Sequence, residues 1–434
     1  MVTVGILAGL LGLVLLLAIG TPTGLAMLIS GSCGLLIVYG PDAMVMYLGT
    51  SMYREAANFV LLAIPLFVFM GALGSQGRLW ERLFAWAYAL VGRIGGGLGM
   101  AIVGAGAVLG AASGSSTANA AALGKVAIKE SQKYGYERRT VLACIASSAT
   151  IAVMIPPSIT LIVYALLTET SVARLFAAGV VPGLLTAVLL IGVVAVLARM
   201  RPEGLPKGPK FSLRQQAAAT GEVAPILGVI GLVIVGIYAG LYTPTEAAAV
   251  GVLGIGTLAL ILGRIKMPQL FAAAREAART TGMIFLIIVG AFVFGRFMSA
   301  TQIPQDFTEA VSSLPLGPYP ILVILLAVYI VLGTFMDQLA IQVLTIPIVF
   351  PLIEAFGFDP YWFAIIFVKT VEIGLLTPPL GLNIYVVSGL AKVPVHEAFR
   401  GIGPFLAADF LLLTGLVAFP ELSLWLPDLL LGAA

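Results

Sequence analysis

Ile155-Pro156-Pro157-Ser158 interrupts one long apolar run, and 222 positions further on Thr377-Pro378-Pro379-Leu380 interrupts another. A proline removes a backbone donor and frees the carbonyl one turn back, so each pair marks a helix broken in its interior. The same offset carries Thr21-Pro22-Thr23 onto Thr243-Pro244-Thr245, Gly135-Tyr136 onto Gly357-Phe358, Gly179 onto Gly401 and Pro182 onto Pro404. One coincidence would mean little in a chain with 50 glycines; a constant offset held over about 160 residues marks an internal duplication. The chain therefore reads as a first repeat over residues 1–199, a polar, proline-containing, basic linker over 200–222, and a second repeat over 223–434.

Composition sets the solvent. Of the residues 60% are hydrophobic and 10% charged, with mean hydropathy +1.09, which no soluble globular domain matches. A bilayer core of roughly 30 Å takes about 20 apolar residues per helix, and many such runs are present. The first, Val2 to Ile19, has no basic leader or small-residue cleavage site and reads as a retained span. Cys33 and Cys144 both fall in apolar runs and read as reduced core residues. With His396 the sole histidine, no metal cluster, haem site or histidine-based triad is available, so redox enzymes and proteases are disfavoured.

The number of crossings per half decides whether such repeats are parallel or inverted. The first half has apolar spans near 2–19, 23–39, 58–74, 140–167 and 174–198. A further stretch, 96–130, is interrupted at Ser113-Gly114-Ser115-Ser116-Thr117 and adds two crossings or, as a re-entrant hairpin, none; the count is odd either way. An odd count means inverted repeats. Basic residues, which favour the cytoplasmic side, gather at Arg78, Arg82 and Arg93, from Lys125 to Arg139, and in the linker from Arg199 to Arg214. In the second half they gather at Arg264, Lys266, Arg275 and Arg279, then at Lys392 and Arg400, with none between Arg296 and Lys369. After Arg400 only acids such as Glu421 and Asp428 follow, so both termini are expected outside the cytoplasm. Hairpin one would then enter from inside and hairpin two from outside.

Unwound backbone at membrane depth persists where it is buried in protein or lines a cavity, and there it can bind ions and substrate. Four interruptions fit: the tip from Ser113 to Asn119, its partner near Gly333-Thr334-Phe335-Met336-Asp337-Gln338, and the two Pro-Pro breaks. Each has a plainer reading. Membrane Ser and Thr often bond locally, Pro-Pro can be a kink, and Asp337 can cap a helix, although an intramembrane acid is by default a functional candidate. Lys369 and Glu372 can pair with each other, and Arg296 can snorkel to the outer headgroups. Trp80, Trp86, Tyr361 and Trp362 read as interface anchors.

These residues bring the chain into resemblance with the large membrane subunit of tripartite ATP-independent periplasmic (TRAP) transporters, over essentially its whole length. The carriers are Gly114-Ser115-Ser116-Thr117-Ala118-Asn119, Ile155-Pro156-Pro157-Ser158, Gly240-Leu241-Tyr242-Thr243-Pro244-Thr245-Glu246, Met336-Asp337 and Gly374-Leu375-Leu376-Thr377-Pro378-Pro379-Leu380-Gly381-Leu382-Asn383. The resemblance implies an all-α polytopic protein of the ion transporter superfamily, with two inverted repeats, two re-entrant hairpins and two broken helices, working as an elevator. It implies Na⁺-driven symport, with two or more Na⁺ and neither ATP nor a redox cofactor, of a small carboxylate such as a C4-dicarboxylate, sialic acid or a sugar or keto acid. The partners it implies are a small four-helix membrane subunit, expected as a separate polypeptide, and a periplasmic substrate-binding protein, at a bacterial inner membrane; no nucleic acid is expected.

Carried over residue by residue, one Na⁺ position uses Ser113, Gly114, Ser115, Asn119, Thr150 and Pro156. A second uses Gly333, Thr334, Asp337, Gly374 and Thr377. Substrate is assigned to Ser116, Thr117, Pro157, Ser158, Pro379, Gly381 and Asn383, where amides and half-helix N-termini suit a carboxylate. The sequence departs from the family pattern at Lys369, where an uncharged residue, often Asn, is usual. The alternatives are a stand-alone Na⁺/dicarboxylate symporter of the divalent-anion type, a proton-coupled antiporter titrating Asp337 and Glu372, and a serine hydrolase using Ser115. The last is disfavoured because nothing supplies a general base near Ser115.

Overall fold

The computed structural model describes residues 2–51, 53 and 57–432, and among these the ordered structure is helical apart from one isolated bridge, Gly95 to Lys207. The first half runs α1 (Val2–Ala18), α2 (Thr23–Met46), a 3₁₀ turn (Phe59–Leu62), α3 (Ala63–Gln76), α4 (Leu79–Val91), α5 (Gly97–Ser113), α6 (Ser116–Lys133), α7 (Arg138–Met154), α8 (Ile159–Thr168) and α9 (Val172–Met200). The second runs α10 (Leu213–Tyr238), α11 (Pro244–Ile261), α12 (Met267–Ala300), α13 (Ile303–Ser312), α14 (Pro318–Phe335), α15 (Gln338–Ala355), α16 (Pro360–Leu376), α17 (Leu382–Ala391), α18 (Val395–Ala418) and α19 (Glu421–Leu431). Helices α6 and α15 differ by 222 at both ends, and so do α7 and α16. Among the described residues nine helices are long and apolar enough to cross a membrane, or ten when the bent pair α7–α8, with its 43° break, is taken as one span.

Two helices form the core. α7 is buried without interruption from Thr140 to Met154 and α16 from Trp362 to Leu376, again 222 positions apart. α5 and α6 make the first hairpin and pack on α7; α14, the first arm of the second hairpin, packs on α16. The second arms cross over: α6 lies against α17, and α15 lies against α8. Each hairpin is thus held by the short helix of the opposite half. α2 with α12, and α11 with α3 and α10, form the remaining layer, which meets the hairpins through α3 and α12.

Local chemistry explains the boundaries. Thr243-Pro244-Thr245-Glu246 is a capping box: Thr243 Oγ1 accepts the Glu246 N–H at 3.3 Å, Glu246 Oε2 accepts the Thr243 N–H at 2.8 Å, and proline occupies the first turn. That motif starts α11 and is a structural device. A second capping box, Ser212 with Gln215, starts α10, so only 201–212 of the polar linker lies outside helix. This non-helical piece is docked: Glu137 N–H donates to Gly204 O at 2.7 Å, Gly208 N–H to Gly92 O at 2.8 Å, and the Tyr136 hydroxyl to Pro206 O at 2.7 Å.

Three sequence expectations change. Cys33 is exposed on the outside of α2 rather than in the core, whereas Cys144 is buried. Trp80 and Trp362 are buried, with indole N–H groups donating to Gly71 O at 3.1 Å and Leu416 O at 2.7 Å; they pack helices together instead of anchoring an interface. Lys369 makes its ion pair with Asp409 on α18 at 2.5 Å, and Glu372 has no hydrogen-bond partner.

Candidate transport site at the helix tips and breaks

At the first tip Gly114 adopts φ 60, a left-handed conformation suited to glycine. A Cβ there would lie 3.0 Å from Pro157 O and 3.1 Å from Ile159 N, so the tip sits directly on the first break. Ser115 occupies the N-cap of α6, yet its side chain accepts no amide of the helix; Ser115 Oγ lies 3.3 Å from Thr117 Oγ1. The first amides of α6 therefore have no side-chain cap. Asn119 is fully buried, donates to Gly106 O at 3.0 Å and leaves Oδ1 without a partner. The side chain of Ser113 lies outside the described residues.

The second tip is built differently. Gly333 and Gly374 bring α14 and α16 into backbone contact: a Cβ on Gly374 would meet Gly333 Cα and Ile330 O, each at 2.6 Å. Asp337 caps α15, its Oδ1 accepting the N–H groups of Leu339 at 2.9 Å and Ala340 at 3.3 Å. This is the helix-cap reading of Asp337, and it holds the carboxylate at the tip. Thr334 and Thr377 donate to Val331 O at 2.8 Å and Ile373 O at 2.7 Å, as Thr150 does to Ser147 O at 2.7 Å. Their donors are used locally, and their lone pairs stay available.

The breaks also differ. Pro156, Pro157 and Ser158 are buried, and Ser158 caps α8 by accepting the Leu161 N–H at 3.3 Å. Pro378, Pro379 and Leu380 are exposed, and Gly381, at φ 56, begins α17 without a side-chain cap. Asn383 is fully buried with both amide atoms unpartnered.

One cavity of about 340 Å³ joins the two tips. Gly114, Ser115, Ser116, Thr117 and Ala118 line it from the first and Asp337, Gln338 and Leu339 from the second, with Thr160 of α8 between them. Gly71 and Ser75 of α3 and Glu276, Thr280 and Met283 of α12 close the opposite wall. Of the residues assigned from sequence, this brings together Gly114, Ser115, Ser116, Thr117 and Asp337. Asn119, Thr150, Pro156, Pro157, Ser158, Gly333, Thr334, Gly374, Thr377, Pro379, Gly381 and Asn383 lie outside its lining. A smaller cavity of about 180 Å³ shares Ser75, Trp80, Leu109, Ala118, Ala122 and Glu276 with it and continues to Arg78 and Lys125. Sequence reasoning missed the wall from α3 and α12, because only the fold shows which face of a long apolar helix meets a tip. Gln338 was within reach: it follows Asp337 directly, lines the cavity, and both its amide atoms are buried without partners.

Behind the first tip lies a buried charge cluster. Lys369, Glu372 and Asp409 are each 1% exposed. The Lys369–Asp409 pair leaves both oxygens of Glu372 and Oδ2 of Asp409 without hydrogen-bond partners.

A bundle of membrane-crossing helices with two hairpin tips meeting in one cavity defines a multi-pass membrane transport protein. The fold is similar to that of the YdaH transporter of Alcanivorax borkumensis, with TM-score 0.64 at 15% identity over 90% of each chain. The chain belongs to the tripartite ATP-independent periplasmic transporter family, DctM component, whose family profile matches residues 10–422. It is 37% identical over 394 residues to the C4-dicarboxylate TRAP transporter large permease protein DctM of Pseudomonas aeruginosa, covering 91% of this chain and 92% of that one. It is 33% identical over 432 residues to the sialic acid TRAP transporter large permease protein SiaM of Vibrio cholerae, covering 99% of each. It is 30% identical over 420 residues to the ectoine/5-hydroxyectoine TRAP transporter large permease protein UehC of Ruegeria pomeroyi, covering 96% and 98%. The chain is a large permease whose relatives differ in substrate.

Proposed function

We propose that this permease imports a small carboxylate by Na⁺ symport, with substrate in the cavity between the two tips. The observation that carries the reading is the free N-terminus of α6 opening into that cavity beside the hydroxyls of Ser115, Ser116 and Thr117. Unpaired amides at a helix start favour an anion. Na⁺, as co-transported cargo, takes the hard oxygens around the tips: the set Ser113, Gly114, Ser115, Asn119, Thr150 and Pro156, and the set Gly333, Thr334, Asp337, Gly374 and Thr377. Asp337 supplies the negative charge of the second set. Pro157, Ser158, Pro379, Gly381 and Asn383, though outside the cavity lining, belong to the breaks that frame it.

The two halves, 1–199 and 223–434, are inverted repeats in this reading, with re-entrant hairpins carried by a mobile unit that slides against α2, α3, α11 and α12. The continuation of the cavity toward Arg78 and Lys125, residues placed in the cytoplasm by the basic-inside bias, fits an inward-facing state. Both termini face the periplasm of a bacterial inner membrane. A small four-helix membrane subunit covers the scaffold, and a periplasmic binding protein delivers the carboxylate.

The test is uptake into proteoliposomes containing this chain and its small subunit, given a binding protein loaded with labelled succinate or sialic acid, with and without an inward Na⁺ gradient. Accumulation that needs both binding protein and Na⁺ supports the reading. Uptake of free substrate without the binding protein would replace it with a stand-alone symporter.

A further inference from the structure

Within the charge cluster behind the first tip Lys369 and Asp409 compensate each other, and Glu372, when ionised, adds a negative charge that no further cation among the described residues pairs. Among the described residues Lys369, Asp409 and the Ser116 side chain act on the Glu372 carboxylate, and neither of its oxygens has an assigned hydrogen-bond partner. An ionised carboxylate left 1% exposed and unpaired is strongly disfavoured, so the group either takes up a proton or holds a cation. The unpartnered atoms are all acceptors: Glu372 Oε1 and Oε2 and Asp409 Oδ2.

We propose that Glu372, with Asp409 Oδ2 and Ser116 Oγ, forms a further Na⁺ site, separate from the two positions described above and directly behind the substrate cavity. Charge selects the valence: one added positive charge brings Lys369, Glu372 and Asp409 to zero, whereas a divalent ion would leave an excess. Hard oxygen donors select an alkali or alkaline-earth ion over a soft transition metal. Ser116 is shared, facing the cavity at the first turn of α6 while its neighbour behind is Glu372. A cation there would offset the repulsion between Glu372 and an incoming carboxylate, so cation and anion would each tighten the other's binding by the same factor. The identity of the ion rests on the Na⁺ symport reading; the existence of a cation at Glu372 does not.

The experiment is equilibrium ²²Na⁺ binding to the purified chain with its small subunit in lipid nanodiscs, with K⁺ as competitor. The parent should bind three Na⁺ per chain and Glu372→Gln two, with the remaining sites unchanged in affinity, and K⁺ should not displace the ion. A parent count of one, lost in Glu372→Gln, would keep this site and remove the two tip positions. A parent count of two that Glu372→Gln leaves unchanged would overturn the proposal. So would an infrared band of a neutral carboxylic acid at pH 7 that disappears in Glu372→Gln, because the carboxyl would then carry a proton. Should Glu372→Gln fail to fold, Glu372→Asp takes its place: a neutral-acid band at pH 7 that shifts in this variant overturns the proposal, and a parent count of three with no such band supports it.

Discussion

The two hairpin tips share their boundaries but not their chemistry. Ser115 and Asp337 stand at equivalent positions, each the N-cap of a helix with the same length and the same 222-residue relation. Asp337 uses one carboxylate oxygen to satisfy two amides, while Ser115 satisfies none and leaves the start of α6 open to the cavity. At the breaks the roles reverse: Ser158 caps α8, and α17 begins at an uncapped glycine. The 222-residue offset therefore relates the frames, and capping separates a helix start without a side-chain cap from one that already holds a carboxylate.

The largest effect is expected where the frame itself is tightest. In the second half Gly333 and Gly374 touch backbone to backbone, whereas the equivalent positions in the first half are Ala111 and Ala152, and the close approach moves to Gly110. Gly374→Val has no free space to enter, so we expect a loss of about 3 kcal/mol or more and little monodisperse protein by size-exclusion chromatography. A variant that elutes and melts like the parent would mean that this contact does not hold the second hairpin.

Next comes the comparison of the caps. Ser115→Asp gives the first tip the cap of the second; it should stabilise α6 by about 1 kcal/mol and lower uptake on the order of 100-fold through repulsion of the substrate carboxylate. Unimpaired uptake by a folded Ser115→Asp protein would place the anion elsewhere. Asp337→Asn keeps a capping oxygen and removes the charge, so the protein should fold while the Na⁺ concentration for half-maximal uptake rises roughly tenfold, about 1.4 kcal/mol. An unchanged Na⁺ response would remove Asp337 from the second ion position.

Much of this comparison was legible in the sequence. The offset that joins Pro156-Pro157 to Pro378-Pro379 also relates the ends of α6 to α15 and of α7 to α16, because proline and glycine positions set helix boundaries directly. The tip residues Gly114 to Thr117 and Asp337 do converge on one cavity. What could not be read was facing. Periodicity is weak when a helix is apolar all round, so nothing marked Trp362 as buried, Cys33 as exposed, or Glu276 and Thr280 as cavity wall. The partner of Lys369 was also hidden: Glu372 is close in sequence, but Asp409, forty residues away on another helix, is the one that reaches it.

The smallest effect separates a cap from a contact. Ser158 is fully buried, stands outside the cavity lining, and satisfies the Leu161 N–H at the start of α8. Resemblance alone assigns it to substrate, whereas the geometry makes it the counterpart of the cap that Ser115 lacks. Ser158→Ala removes the acceptor and leaves that amide buried without a side-chain partner, so stability should fall by about 1 kcal/mol. Apparent affinity for the carboxylate, measured in the proteoliposome assay, should stay within about twofold, since a cap lost at constant backbone geometry moves no group that lines the cavity. The opposite pattern, with thermal stability retained and apparent affinity down roughly tenfold, or 1.4 kcal/mol, would show that the Ser158 hydroxyl touches substrate. In that case the first break would open toward the cavity during transport, and its burial would belong to one state of the cycle.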